Sequence, residues 1–415
     1  MKKYDLIVIG GGLSGVAAAV CASRQGASVL LVERNGSLGG AMSNCSVYPF
    51  MWYSVKTESG ENRELSDGIF KEMCNRHKAL TDGTNGYQPE FFKFVLDDMV
   101  CESGVDVLFH TQLIDVMKDK RTLKSVRLAG KEGVYDAEAD FFIDATGDGD
   151  LLFYSGCEFQ LGREKDYLCQ PMTTCFRLCN IDTKAFEDDK KRLEALYSEK
   201  RASGEIKNPR ENILTFLGIG DGIVHFNTTR IIKRDPTSSI DISRAEIEAR
   251  RQVLEMYKFL RENSESCKNA TLISIAPEIG VRESRKLKGV YILTADDLKN
   301  CVDFEDSIAL GNYHIDIHNP EGTGTYIHWF APHEYYRIPY RSLLPKETDN
   351  LLVAGRCLSA THEAHSAVRI MPICACLGEA AGVAAAVSLK TTKNAHTVNI
   401  AKVQDIIIKN GGQIH

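Results

Sequence analysis

The sequence has no run of eighteen or more apolar residues, so nothing in it reads as a membrane span. It has no long basic run either. Its 50 Lys and Arg are spread among 56 Asp and Glu for a formal net charge of -6, a balance that argues against a nucleic-acid partner. Neither a low-complexity tail nor a repeat of fixed period is present, which removes solenoids and linker-like chains. The opening segment MKKYDLIVIGGGLSGVAAAVCA imitates a secretory signal only superficially, because glycines interrupt its apolar run. A cytoplasmic location is the expectation. The 13 cysteines are scattered over a chain too large to need covalent staples, so most are expected as reduced, buried, small apolar side chains.

What is present begins with length: 415 residues exceed what one hydrophobic core supports, so two intertwined domains are expected. Tyr4 to Ile9 reads as a β-branched strand, Gly10 to Gly15 as a glycine turn, Val16 to Arg24 as an Ala-rich helix and Ser28 to Val32 as a second strand. Apolar spacing predicts an amphipathic helix from Pro89 to Glu102 and a strand from Val105 to Phe109. Leu113 to Met117 and Ser125 to Ala129 flank a turn, and Ala139 to Asp144 runs apolar into Ala145, Thr146 and Gly147. The stretch 151–340 mixes charged helices (Lys184 to Ser203, Arg244 to Asn263) with strand-like runs at Ile223 to Ile232 and Tyr326 to Phe330. Beyond it, Leu351 to Ala354 reads as a strand, Gly355 to Pro372 as a polar loop and Ile373 to Leu389 as an Ala/Gly-rich helix.

The glycine turn carries chemistry. In Gly10-x-Gly12-x-x-Gly15, the first glycine permits the tight turn, the second lets backbone amides reach a pyrophosphate, and the third lets helix and strand pack closely. A plain structural turn would show the same spacing, but Glu33 ends the next strand about twenty residues on. A carboxylate there accepts both ribose hydroxyls and disfavours a phosphorylated ribose. Ala145-Thr146-Gly147-Asp148 leaves another parallel strand at the end where open α/β sheets place ligands. Gly355 and Arg356 leave a third, where the guanidinium can face a diphosphate or make a surface ion pair. The helix that starts near Ile373 aims its positive end at whatever lies there. Gly378 and Gly382 suit either close helix packing or ligand contact. No second Gly-x-Gly-x-x-Gly unit appears, which argues against a dedicated NAD(P)H domain.

These segments, read as VIGGGLSG, ERNGSLGG, IDATGDGDL, GVRESRKLKGVYILTADDL, YHIDIHNPEGTG, YRIPYRSLLP and NLLVAGRCLSATHEAHSAVRIMPICACLGEAAG, together resemble the FAD-dependent oxidoreductase family. That family belongs to the glutathione-reductase-like flavoproteins and is distantly akin to fumarate reductase flavoproteins. The resemblance covers nearly the whole chain. It implies an α/β fold with a Rossmann-like FAD-binding domain on a parallel sheet over 1–150, an inserted mixed α/β substrate domain over 151–340, and completion of the FAD domain by 341–415. It implies FAD as cofactor, contacted by Gly10, Gly12, Leu13, Ser14, Gly15, Glu33, Arg34, Gly39, Gly40, Ala41, Ala145, Thr146, Gly147, Gly355, Arg356, Met371, Ile373 and Cys374. It further implies hydride transfer between FAD and a small organic substrate, either oxidising a C–H bond next to oxygen or nitrogen or reducing an activated double bond. The alternative is a flavoprotein subunit that passes electrons to a protein partner. Self-association into a homo-oligomer is left open.

On the substrate side, His314-x-Asp316-x-His318 at strand periodicity projects three polar side chains to one face. An Asp between two imidazoles can orient one and raise its basicity for proton transfer; a polar network or a metal site would use the same spacing. Arg369 precedes the last long helix and is assigned beside the ring. Arg282, Arg285, Tyr336, Arg337, His362 and His365 form a second group of polar candidates. His362-Glu363-Ala364-His365 is one residue short of HExxH and is read as a loop, so a metalloprotease is rejected. Cys45 follows the Gly39-Gly40 turn without the close cysteine partner of a disulfide reductase. The remaining thiols lack cluster spacing.

Overall fold

The computed structural model describes residues 3–81 and 87–415, so Met1 and Lys2 of the opening segment lie outside the described residues. Five strands run parallel in the order Asp106–Leu108, Val29–Val32, Tyr4–Ile9, Gly133–Asp144, Leu351–Val353. Gly133–Asp144 belongs to two systems. Residues 139–144 pair parallel with Tyr4–Ile9, whereas residues 133–138 pair antiparallel with Thr122–Gly130, which continues into Gln112–Asp119. Parallel strands need cover on both faces. Here Leu6 and Val8 point into the large core shared with the helices, and Ile7 and Ile9 into a smaller core under the antiparallel meander.

Two helices lie against that sheet and against each other. Leu13–Arg24 follows the glycine turn, and Met371–Leu389 is buried from Pro372 to Ser388. By length and composition the second helix would suffice to cross a membrane, but 89% of it lies inside the protein as a core element. Their contact is backbone on backbone: a Cβ on Gly378 would stand 2.0 Å from Ser14 O, and one on Gly382 would stand 2.2 Å from Ala18 O. Of the two readings for these glycines, close helix packing is the one the structure shows.

Phe176 to Ala270 carries a core of its own, built on an antiparallel sheet of Thr215–Phe216, Val224–Phe226, Phe176–Cys179 and Thr271–Ile275. Two long helices, Thr183–Ala202 and Ser239–Asn263, cover it, capped by the side chains of Asp182 and Ser238. Leu293 to Leu344, by contrast, pack into the large core beside the parallel sheet. The run Ile223 to Ile232 is a strand only over Val224–Phe226, and Ile231 makes a single bridge to Met172.

The expected loop Gly355 to Pro372 holds a 3-10 turn, Gly355–Cys357, and a helix, His362–Val368, whose Thr361 hydroxyl caps Ala364 N. Its polar residues made it read as a loop. In fact His362, His365 and Ser366 are buried with hydrogen-bond partners, and tertiary packing holds a helix too short to be stable alone.

Two outcomes follow from the last long helix. Gly378→Val drives a branched side chain into the Ser14 carbonyl and is expected to cost about 1–3 kcal/mol by overpacking, read as a lower melting temperature. An unchanged melting temperature would contradict the backbone contact. Glu379, in the same helix, is pushed up to about 7 by burial, against hydrogen bonds from Ile69 N and Asn410 Nδ2. The folded carboxyl keeps its proton above the ordinary value of 4.5 where the unfolded one loses it, so stability falls as pH rises between these values. Thermal denaturation of Glu379→Gln across that window should show a shallower fall than the parent protein; an identical slope would rule Glu379 out as its source.

Candidate functional site

The glycine turn leaves a notch. Gly10 has φ +101°, and a Cβ there would lie 2.4 Å from Ala145 O; a Cβ on Gly15 would lie 1.8 Å from Gly10 O. Neither position tolerates a side chain. Gly12 faces open space, with only Gly40 Cα at 3.9 Å from its would-be Cβ. The opening therefore sits where the amides at the start of Leu13–Arg24 point outward. Gly39 N donates to Gly11 O at 2.8 Å and ties the second glycine pair to the first. Glu33 is fixed at the end of its strand: Oε2 accepts from Gly11 N at 2.6 Å and Oε1 from Asn35 N at 2.8 Å. Each carboxylate oxygen keeps a further lone pair for a ligand hydroxyl.

Asp144 shapes the neighbouring turn. Its Oδ1 accepts from Thr146 N and Oγ1, its Oδ2 accepts from Leu152 N, and burial pushes the carboxyl up to about 6. Arg356 was expected as a free fork or a surface ion pair. It forms an ion pair within the site, Nη2 on Asp148 Oδ1 at 2.8 Å, with Nη1 donating to Ser284 Oγ at 3.0 Å. Burial would raise the Asp148 carboxyl, yet Arg356, Ser284 and Arg34 hold it below its ordinary value. Ser14 Oγ is buried with no partner among the described residues.

One cavity of about 550 Å³ runs along this wall and onto the side chains assigned to chemistry. Gly10, Gly12, Leu13, Ser14, Glu33, Arg34, Gly39, Gly40, Ala41, Ala145, Thr146, Gly147, Gly355, Arg356, Met371 and Cys374 line it, and so do His314, Asp316, His318 and Arg369. Gly15 and Ile373 do not line it. Gly15 lies beneath the turn, and Ile373 is buried behind the wall, where its Cδ1 crowds Gly311.

His318 and Asp316 lie on the strand Ile315–His318, with His314 just before it, and all three are buried on the cavity side. His318 Nε2 is 3.3 Å from Asp316 Oδ2, and its Nδ1 is 3.2 Å from Thr325 Oγ1. Tyr313 donates its hydroxyl to Asp316 Oδ2 at 3.1 Å, while Asp316 N donates to Ser366 Oγ on the short helix. His314 makes no such pair: its Nδ1 is buried and unpartnered among the described residues. Asp316 does act to raise the His318 imidazole, but it does not prevail. Burial and the nearby Arg282 guanidinium outweigh Asp316 and lower His318 to about 3, so the ring is neutral. Burial would raise Asp316 in turn, but His318, Arg369 and Arg282 hold it ionised, well below its ordinary value.

The second group of candidates separates. Arg282 lines the cavity, its Nη1 donating to Pro171 O at 2.6 Å, and crowding by burial, Arg369 and Arg210 lowers it to about 9. Arg285 instead pairs with Asp150 and covers the Phe153 ring. Tyr336 is fully buried, donating to Tyr313 O and Ala367 O, and Arg337 pairs with Asp303; neither lines the cavity. His362 and His365 do share a helix, contrary to the loop expectation. His362 Nδ1 is bound to Glu283 and His365 Nε2 to Arg356 O, so the two rings are held apart in function. Among the described residues no three His, Cys, Asp or Glu side chains form a metal cluster. All thirteen thiols are free, and burial raises the Cys45 thiol.

Sequence reading missed Arg210, which is buried in the cavity wall with its Nε donating to Asn212 Oδ1 at 2.9 Å. It stands in irregular backbone between a helix and a short strand, where no periodicity marks a facing direction. Its signal was only compositional: arginine between two amide residues in NPREN.

The open notch at Gly12, the orphaned Ser14 hydroxyl and the remaining lone pairs of Glu33 fit an adenine dinucleotide laid along the cavity. The chain is similar to several known proteins. A mitochondrial dihydrolipoyl dehydrogenase of Schizosaccharomyces pombe is 25% identical over 158 residues, 35% of this chain and 28% of that protein. A digeranylgeranylglycerophospholipid reductase 2 of Methanothermobacter thermautotrophicus is 28% identical over 169 residues, 35% of this chain and 40% of that protein. The chain thus matches well under half the length of these curated relatives. A geranylgeranyl bacteriochlorophyll reductase-like protein of Thermoplasma acidophilum superposes with a TM-score of 0.48 at 13% identity, covering 99% of this chain and 84% of that one. The FAD dependent oxidoreductase family matches residues 5–407, essentially the whole chain, and this protein belongs to that family and takes FAD as its cofactor.

Proposed function

We propose that this FAD-dependent oxidoreductase moves a hydride between the flavin and a small organic anion, within the wider glutathione-reductase-like group of flavoproteins. The observation that carries the reading is electrostatic. Arg210, Arg282 and Arg369 line the same cavity as the dinucleotide notch, and none has a carboxylate within 4.0 Å among the described residues. The nearby carboxylates are already engaged: Asp316 serves His318 and Tyr313, and Glu211, next to Arg210, is paired with Arg230 at 2.8 Å. With Glu211 taken by Arg230, the three guanidiniums against Asp316 leave an excess of positive charge in a buried space, and a carboxylate or phosphate of the substrate neutralises it.

Bound FAD supplies the two-electron acceptor or donor. In the oxidative direction the hydride leaves a substrate carbon, and the proton on the adjacent oxygen or nitrogen passes to a neutral imidazole. In the reductive direction both transfers reverse. Asp316 orients His318 through Nε2, which leaves Nδ1, now at the Thr325 hydroxyl, as the nitrogen that takes or gives the proton. Substrate oxyanion pairing with Arg282 removes the largest charge that keeps this ring neutral, so binding readies His318 for its proton.

Glu33→Ala should weaken FAD binding by about 1.5–3 kcal/mol, the scale of hydrogen bonds to a charged group, measured as the affinity of the apoprotein for FAD. Unchanged affinity would mean that the ribose is held elsewhere. His318→Ala should keep its flavin while turnover falls about a hundred- to ten-thousand-fold. Melting temperature, flavin content and single-turnover flavin reduction on one preparation separate this from a purely structural loss. A folded, flavin-loaded variant with the parent's reduction rate removes His318 from the chemistry and leaves His314 as the next ring to test.

A further inference from the structure

The chain has only two tryptophans, Trp52 and Trp329, and both are more than half exposed, at 54% and 56%. Large aromatic side chains are usually well buried, so two exposed indoles from distant parts of the chain that meet in one place need a reason. Their ring centroids are 5.5 Å apart. Both also contact one imidazole: His314 lies 4.3 Å from Trp329 and 5.6 Å from Trp52. That imidazole is itself buried in the wall of the flavin cavity, within the electrostatic reach of Asp316 and Arg369. Neither indole lines the cavity itself; both meet it through their contacts with His314, which does. On the neighbouring strand Thr325–His328, Ile327 pairs with Asp316 and also lines the cavity. The guanidiniums thus line the cavity, and the paired indoles stand against the imidazole in its wall.

We propose that Trp52 and Trp329 are the outer half of the substrate site and hold the planar, apolar part of a molecule whose oxyanion rests on Arg210, Arg282 and Arg369. The substrate class is then an aryl-bearing anion rather than a small aliphatic acid. This inference rests on the anion reading of the cavity given above. The indoles lie too close together to admit a ring between them, so the ligand ring lies across their exposed faces, with offset or edge contact as aromatic pairs prefer.

Because these are the only tryptophans, intrinsic indole fluorescence of the flavin-loaded protein reports the indole pair alone. Titration with trans-cinnamate and phenyl phosphate should quench it, and calorimetry should show each binding about tenfold more tightly than acetate and inorganic phosphate respectively. The stronger of the two aryl ligands identifies the oxyanion as carboxylate or phosphate. In Trp52→Ala and Trp329→Ala, checked for flavin content and melting temperature, the aryl ligands should fall toward the affinity of acetate or phosphate in the same variant. Equal affinity of cinnamate and acetate in the parent protein, or an aryl gain that survives both substitutions, overturns the indole half of the site and leaves the anion reading standing. Benzyl alcohol binding as tightly as cinnamate, or no binding by any of the four anions, overturns the anion reading itself and with it the proposed substrate class.

Discussion

The first helix and the last long helix touch through backbone, and the site depends on that contact. Ser14 and Ala18 present carbonyls where Gly378 and Gly382 present no side chain, so the two axes approach more closely than any larger residue would permit. The approach brings the two ends of the sequence together around one ligand site. Leu13–Arg24 opens at the dinucleotide notch, and Met371–Leu389 opens beside Gly355, Arg369 and Cys374. Between them the sheet supplies three strand ends, at Ile9, Asp144 and Val353, which pair in register side by side. Ligand-facing turns leave all three at the same edge, as expected of an open parallel sheet.

Charge divides the cavity into two regimes. Along the dinucleotide wall, guanidiniums are already paired: Arg34 with Glu278 and Arg356 with Asp148. Near the strand Ile315–His318, Arg210, Arg282 and Arg369 have no ion-pair partner among the described residues, and Arg282 and Arg210 add to burial in depressing the His318 imidazole. Burial first and these guanidiniums second keep His318 neutral, and guanidiniums also help to hold Asp316 ionised.

Local sequence patterns made the dinucleotide half legible. Gly10, Gly12 and Gly15 are spaced by the demands of one tight turn, and Glu33 falls at the end of a strand whose length the βαβ unit dictates. Strand alternation likewise put His314, Asp316 and His318 on one side correctly. What the pattern could not convey was pairing: that His318 takes Asp316 while His314 contacts the indoles depends on Thr325 and Trp329, which arrive on and just after a neighbouring strand. Arg210 was invisible because irregular backbone has no period. The helix His362–Val368 was read as a loop because its polar residues are buried by partners, Glu283 among them, that lie some eighty positions away in the chain. The bidentate role expected of Arg356 ran into Asp148, two residues beyond Thr146 in a turn otherwise read correctly.

The central claim is that unpaired guanidiniums beside the flavin hold the substrate's oxyanion. The most direct measurement is the absorption band of the protein-bound flavin during titration with a simple carboxylate such as formate, in the parent protein and in Arg369→Gln at equal flavin loading. The account predicts a saturable band shift in the parent that needs roughly tenfold or more carboxylate in the variant, the scale of one lost charged hydrogen bond. A flavin band that ignores the carboxylate, or that responds identically in both proteins, would contradict it.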